Sequence, residues 1–232
     1  MDSKILLVLL IGMVFLSGCI QPQSSTNANS QPVAQENYTD ELMPAIAHNN
    51  TVLAVSLIEK GAEVNSINGY TVSPLMLAIM NGATNVANLL IDHGADVNVR
   101  DDWNMTPLMR ASQSGYISTA KLLIDHGADV NARDETNQTA LMFAINHDNV
   151  EIVRLLINGG AELNVRYTRF GEVGSTHLMI ASMRGYTDIV RLLVNGGADV
   201  NAQDTQGVTA IMYASGNTEI INILKQAGAT EK

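Results

Sequence analysis

Three residue types in this chain could carry nucleophilic, proton-transfer or soft-metal chemistry: one cysteine, five histidines and eleven methionines. The histidines, His48, His93, His126, His147 and His177, are scattered, and none falls at a spacing that would join a nucleophile, a base and an orienting group. No phosphate loop or zinc-ligand cluster is present either. His93 and His126 have Asp92 and Asp125 beside them, where a metal could be imagined, but polar residues repeating in the last turn of two similar helices account for both pairs. Six methionines recur in register: Met43, Met76, Met109, Met142, Met179 and Met212. A ladder of thioethers is a conceivable Cu(I) site, since that soft ion accepts Met sulfur. Successive sulfurs nevertheless lie a whole period apart with no His or Cys converging on them, so the expected role is packing by an unbranched, adaptable side chain. The sequence therefore assigns no catalytic residue, no cofactor and no metal.

That register belongs to an internal repeat, the feature to look for first in any chain. Gly-Ala recurs at Gly61, Gly94, Gly127, Gly160, Gly197 and Gly228, giving steps of 33, 33, 33, 37 and 31 residues. In the same frame Asp40, Ser73, Thr106, Thr139, Thr176 and Thr209 form a column of side chains able to accept a hydrogen bond from the free N–H groups of a first helical turn. Pro74 and Pro107 follow two of them, at the position where proline's missing N–H costs nothing. Each unit thus opens with a short helix. A second helix, apolar at three- and four-residue intervals as in "STAKLLIDHG", ends at the Gly-Ala glycine. About ten polar residues then lead to the next cap, with Asn104, Asn137, Gly174 and Gly207 two residues before it, where a tight turn needs positive φ.

The pattern of cap, Leu, helix, turn, helix and Gly-Ala-Asp-Val-Asn, clearest in "TPLMRASQSGYISTAKLLIDHGADVN", resembles the ankyrin repeat over residues 38–232. The resemblance implies a mostly α solenoid of stacked helix-turn-helix units with protruding β-hairpin turns. About six units are expected: an N-terminal cap at 38–65, then 66–100, 101–133, 134–166, 167–203 and a C-terminal cap at 204–232, with Lys225 and Gln226 giving the last helix a polar close. The family generally has histidine where this chain has its methionine column, and that histidine ties neighbouring repeats by hydrogen bonds. Soft packing is expected to replace those ties here.

Ahead of the repeats, "MDSKILLVLLIGMVFLSGC" combines Lys4, an apolar run too short to cross a bilayer comfortably, and small residues before Cys19. Residues 1–18 are thus expected to be a signal peptide, and Leu16-Ser17-Gly18-Cys19 resembles the lipobox of prokaryotic lipoproteins, which implies a lipid on Cys19. No other cysteine is present, so packing rather than disulfides must hold an exported domain. Residues 19–37, rich in Gln, Ser, Asn and Pro, read as a disordered tether with a coil dimension of about 25 Å. A net charge of −10 gives no means of neutralising phosphate backbones, so neither nucleic acid nor anionic lipid is an expected partner. Asn37, Asn49, Asn104 and Asn137 begin Asn-x-Thr triplets that could accept glycans.

Positions where the repeats differ carry the functional reading, because the family resemblance implies that turn tips and the first-helix surface hold partners. At the tips these are Tyr70 and Val72, Trp103 and Met105, Gln138, and the lengthened segment with Arg166, Tyr167, Arg169 and Phe170. On the first helices they are Met80, Gln113, Met183 and Arg184. All four extra residues of the 37-residue step fall in "RYTRFGEVGS", where arginine and aromatics, the types enriched in binding hot spots, are crowded. Arg100, Arg133 and Arg166 form a row just before three tips, with Asp101, Asp102, Asp134 and Glu135 beside it. The expected protein is a monomeric, membrane-tethered binder of another, unidentified protein outside the cytoplasm, and not an enzyme. The alternatives are an accessory subunit or hydrolase with an unrecognised site, and a Met-based metal carrier.

Overall fold

The computed structural model describes residues 38–66, 72–167 and 174–230. The chain divides into two units, Met1–Glu36 and Asn37–Lys232. The first, where the signal peptide, Cys19 and nearly all of the tether are expected, lies outside the described residues.

Twelve helices in six pairs make up the described part of the second unit. The first helices of the pairs are α1 (Tyr38–Ala47), α3 (Pro74–Met80), α5 (Pro107–Ser114), α7 (Ala140–Asn146), α9 (His177–Arg184) and α11 (Ala210–Tyr213). The second helices are α2 (Thr51–Glu59), α4 (Thr84–Asp92), α6 (Ile117–Asp125), α8 (Val150–Asn158), α10 (Thr187–Asn195) and α12 (Thr218–Gln226). Each helix packs on its mate and on the equivalent helix of the adjacent pair, giving two layers. No helix among the described residues is long and apolar enough to cross a membrane.

Local chemistry fixes the helix ends. Ser73, Thr106, Thr139 and Thr176 accept the backbone N–H of Met76, Met109, Met142 and Met179 through their side-chain oxygens. The column fails at both ends. Asp40 is no cap: α1 already begins at Tyr38, and Asp40 lies in its first turn, where a negative charge suits the helix dipole. Thr209 holds the extended cap conformation but its hydroxyl makes no capping bond, and α11 runs only four residues. Two residues after each second helix stands a glycine of the Gly-Ala pairs, with φ from +83° at Gly127 to +92° at Gly197.

Burial follows the repeat. Leu90, Leu123, Leu156, Leu193 and Leu224 are fully buried between the layers. Ala78, Ala111, Ala144, Ala181 and Ala214 are buried at one place on successive first helices. Met43, Met76, Met109, Met142 and Met179 are buried as expected, but Met212, in the last described pair, is 39% exposed. Their role is also more than packing. Met109 Sδ accepts the Thr106 N–H, and Met179 Sδ the Thr176 N–H, each at 3.4 Å. A thioether, a weak acceptor, thereby completes a capping box usually closed by a carboxylate or amide.

Polar ties between units are present, carried by the Asn that ends each "ADVN" or its equivalent. Asn98 Oδ1 accepts the Asp129 N–H at 2.8 Å, and its Nδ2 donates to the Gly127 carbonyl at 3.2 Å. Asn65 and Asn131 bind the Gly-Ala turn of the following unit in the same way, and Asn201 binds Gly228 and Thr230. Asn164 keeps the acceptor half by taking the Asp199 N–H. The expected β-hairpins reduce, among the described residues, to two isolated antiparallel bridges, Tyr167 with Ser175 and Gln203 with Thr209. The tips around Asp101, Asp134 and Asp204 are tight turns held by side chains rather than ladders of strands.

Candidate functional site

An aspartate organises each of three described tips. Asp101 Oδ1 accepts the N–H groups of Trp103 and Met105, Asp134 Oδ1 those of Thr136 and Gln138, and Asp204 Oδ1 those of Gln206 and Val208. The second oxygen of Asp101 takes the Arg110 guanidinium, and that of Asp204 the Tyr213 hydroxyl. Burial raises the Asp204 carboxyl, but the bonds from Tyr213, Val208 and Gln206 and the charge of Arg166 outweigh it and hold it below the usual carboxylate range. The Arg110 guanidinium also lies 5.3 Å from the centre of the Trp103 ring, which is 58% exposed. These contacts fix the direction in which Trp103 stands.

Tyr167 occupies the place of that aspartate in the 37-residue unit: its N–H donates to the Ser175 carbonyl as that of Asp101 does to Met105 and that of Asp204 to Val208. It is buried, not displayed at a tip. Its hydroxyl lies 3.0 Å from Thr139 Oγ1 and 2.7 Å from His177 Nε2, and the two rings meet edge-on at 4.9 Å. His177 Nδ1 is 2.8 Å from the Leu163 carbonyl, which can only accept, so Nδ1 carries the proton. The directions follow along the chain: Thr139 donates to Tyr167, Tyr167 to His177, and His177 to Leu163. Burial pushes His177 down to about 4 and Tyr167 up to about 12, so both are neutral at physiological pH. Neutral, buried and fully bonded, the pair ties the base of the lengthened segment to the units on either side.

The other four histidines, His48, His93, His126 and His147, each direct Nδ1 at the carbonyl four residues earlier and serve helix ends. Among the described residues no group of three His, Cys, Asp or Glu could hold a metal ion.

A cavity of about 460 Å³ opens on the inner face of α7, α9 and α11 and the bases of the adjoining tips. Met142, Ile180 and Met183 supply its apolar wall, with Tyr167 and Tyr213. Gln138, Asn146, Ser175 and Gln206 line the polar side with Arg184. A second hollow beside it shares Met183, Arg184 and Tyr213. Arg184 Nη1 donates to the Asn146 carbonyl of the preceding pair at 2.8 Å.

Of the residues expected to meet a partner, Met80, Trp103, Met183 and Arg184 are exposed, and Val72, Gln113 and Gln138 are half-buried. Met105 is only 6% exposed and joins the core, because the turn around Asp101 aims it inward, and Tyr167, 9% exposed, stands in the cavity wall rather than at a tip. Tyr70, Arg169 and Phe170 lie outside the described residues. Arg166 is exposed but donates to the Gly174 and Gln203 carbonyls, and Arg100 to those of Asn104 and Arg133. The arginine row thus stitches tips together. Sequence reasoning missed Ile180 and Tyr213, which face the cavity from one place on consecutive units. It also missed that Tyr167 follows Arg166 as Asp101 follows Arg100, the alignment that marks its buried position.

The family profile for ankyrin repeats (3 copies) matches residues 20–101, 42–134, 100–167 and 141–231. Among solved structures, an ankyrin repeat domain from Acinetobacter baumannii AYE is 30% identical with a TM-score of 0.73, covering 82% of this chain and 98% of its own. Another ankyrin repeat protein is 28% identical with a TM-score of 0.71, covering 81% and 98%. Among curated proteins none matches. By the profile match along its repeats and its likeness to these domains, this chain belongs to the ankyrin-repeat family, whose domains are generally non-catalytic modules of protein–protein interaction.

Proposed function

We propose that this protein is tethered to a prokaryotic cell membrane through a lipid on Cys19 and binds another protein outside the cytoplasm with the inner face and tips of its repeats. The anchor rests on the Leu-Ser-Gly-Cys sequence at residues 16–19 behind an apolar leader. The binding face rests on a contrast between the two sides of the stack. On the second helices, Lys121 pairs with Asp125, Arg154 with Glu151 and Arg191 with Glu219, a solvated surface satisfied by itself. On the opposite side Met80, Trp103 and Met183 are between 47% and 58% exposed, Trp103 even with the Arg110 guanidinium against its ring. Among the described residues Val52, Leu53 and Ile117, at the starts of second helices, are the other exposed large apolar residues besides Met212.

The test places a photo-crosslinking amino acid in the full-length chain at Trp103 or Met183, and separately at Lys121 or Arg154, in the native envelope. Adducts of one common mass are expected from the first two positions. Adducts confined to Lys121 and Arg154 would put the partner on the second helices and refute the assignment.

A further inference from the structure

We propose that the cavity between α7, α9 and α11 receives an acidic side chain, flanked by aliphatic ones, from an extended segment of the partner protein. This rests on the protein-binding reading above and specifies the chemistry of what is bound. In a chain of net charge −10 the described residues that line the cavity include a single ion, the Arg184 guanidinium, and no carboxylate. Arg110, Arg133, Arg154 and Arg191 each have a carboxylate within ion-pair distance; among the described residues Arg100, Arg166 and Arg184 have none, and of these Arg100 and Arg166 are held by two carbonyls each while Arg184 has one and lines the cavity. Its bond to the Asn146 carbonyl uses one of five N–H donors and holds the planar group at the mouth, with the rest of the fork available to a carboxylate. Asp204, behind Tyr213, does not compete: its oxygens are taken by the Tyr213 hydroxyl and two backbone N–H groups.

The remaining lining matches the rest of such a segment. Met142, Ile180 and Met183 offer adaptable apolar contact. Gln138, Asn146 and Gln206 carry amides that can both donate to and accept from a peptide main chain. Arg184 and Met183 also border the second hollow, so a bound segment continues along α9 past the guanidinium. The acidic surface elsewhere repels an acidic segment, which confines it to this place.

The full-length chain in detergent micelles, with ¹³C-labelled methionine methyls, would be titrated with the acetylated, amidated pentapeptide Ser-Leu-Glu-Leu-Ser and with versions carrying Gln or Lys at the centre. Saturable shifts of the Met142 and Met183 methyls are expected with the Glu peptide, weakened about fivefold with Gln, as for one solvent-accessible ion pair, and absent with Lys. R184Q should equalise the Glu and Gln peptides without moving the melting temperature. Unmoved methyls, equal binding of Glu and Lys peptides, or sodium butyrate binding as tightly as the Glu peptide would each overturn the proposal. If crosslinks form at Trp103 and Met183 and the Glu peptide still has no advantage, protein binding stands and this assignment falls.

Discussion

His177 illustrates how a residue type that invites catalytic readings can be committed to structure. Burial, the main cause of its lowered pKa, keeps it neutral in the fold down to about pH 4, whereas in the unfolded chain it titrates near 6.5. Above 6.5 both states are neutral and the contribution of this residue is complete. As pH falls from 6.5 through 4, the unfolded state binds a proton that the folded state refuses, so stability drops by up to about 3 kcal/mol. Urea midpoints measured across that window should therefore fall more steeply for wild type than for His177→Gln, which lacks the titrating group. Parallel curves would show that the imidazole is not shielded. The methionine column makes a second prediction: Met142→Leu, a volume-conserving change, should cost less than about 1.5 kcal/mol. Met109→Leu should cost about 1 kcal/mol more, because the Thr106 N–H loses its sulfur acceptor. The sequence shows that Met109 recurs in a core position, but not that its sulfur bonds, since acceptor geometry depends on a rotamer. The burial of Tyr167 was hidden for another reason: only its place after Arg166, not its residue type, reveals that it replaces an aspartate.

Helices were the most legible elements, because a hydroxyl cap, an apolar stripe and a terminal glycine all act within a few residues of where they are read. Contacts between units were less so. Asn98 and Asn131 look like turn residues in sequence, and their bonds reach 29 and 31 positions ahead. Asn131→Ala removes an acceptor for the Glu162 N–H and a donor for the Gly160 carbonyl. Both sites are exposed and water replaces part of each bond, so a loss of about 1–2 kcal/mol is expected by chemical denaturation. The denaturant slope should also fall if the units before and after this joint cease to unfold together. An unchanged slope would show that apolar contact between helices alone couples them. The tips were only partly legible: positive φ at Asn104, Asn137, Gly174 and Gly207 was readable from residue type, while it was not readable that Asp101, Asp134 and Asp204 take N–H groups that a ladder of strands would use.

At the scale of the whole molecule, the proposed anchor depends on one side chain. Because Cys19 is the only cysteine, Cys19→Ser should move the protein from the membrane fraction to the soluble one, and mass spectrometry of the wild-type N-terminus should find acyl groups. An unmodified cysteine in membrane-bound protein would overturn the lipoprotein reading. The asparagine ladder has a different consequence, for how such a chain grows. Every joint from Asn65 to Asn201 uses the same side chain on one unit and the same Gly-Ala turn on the next, so a unit duplicated or lost by recombination meets a compatible neighbour on both sides. The unit containing Tyr167 departs from that interchangeability, since its hydroxyl depends on Thr139 behind it and His177 ahead, and Asn164 retains only half of the usual joint. It is the one segment whose inheritance is bound to its own lengthened turn, and descendants differing in repeat number would be expected to gain and lose units on either side of it.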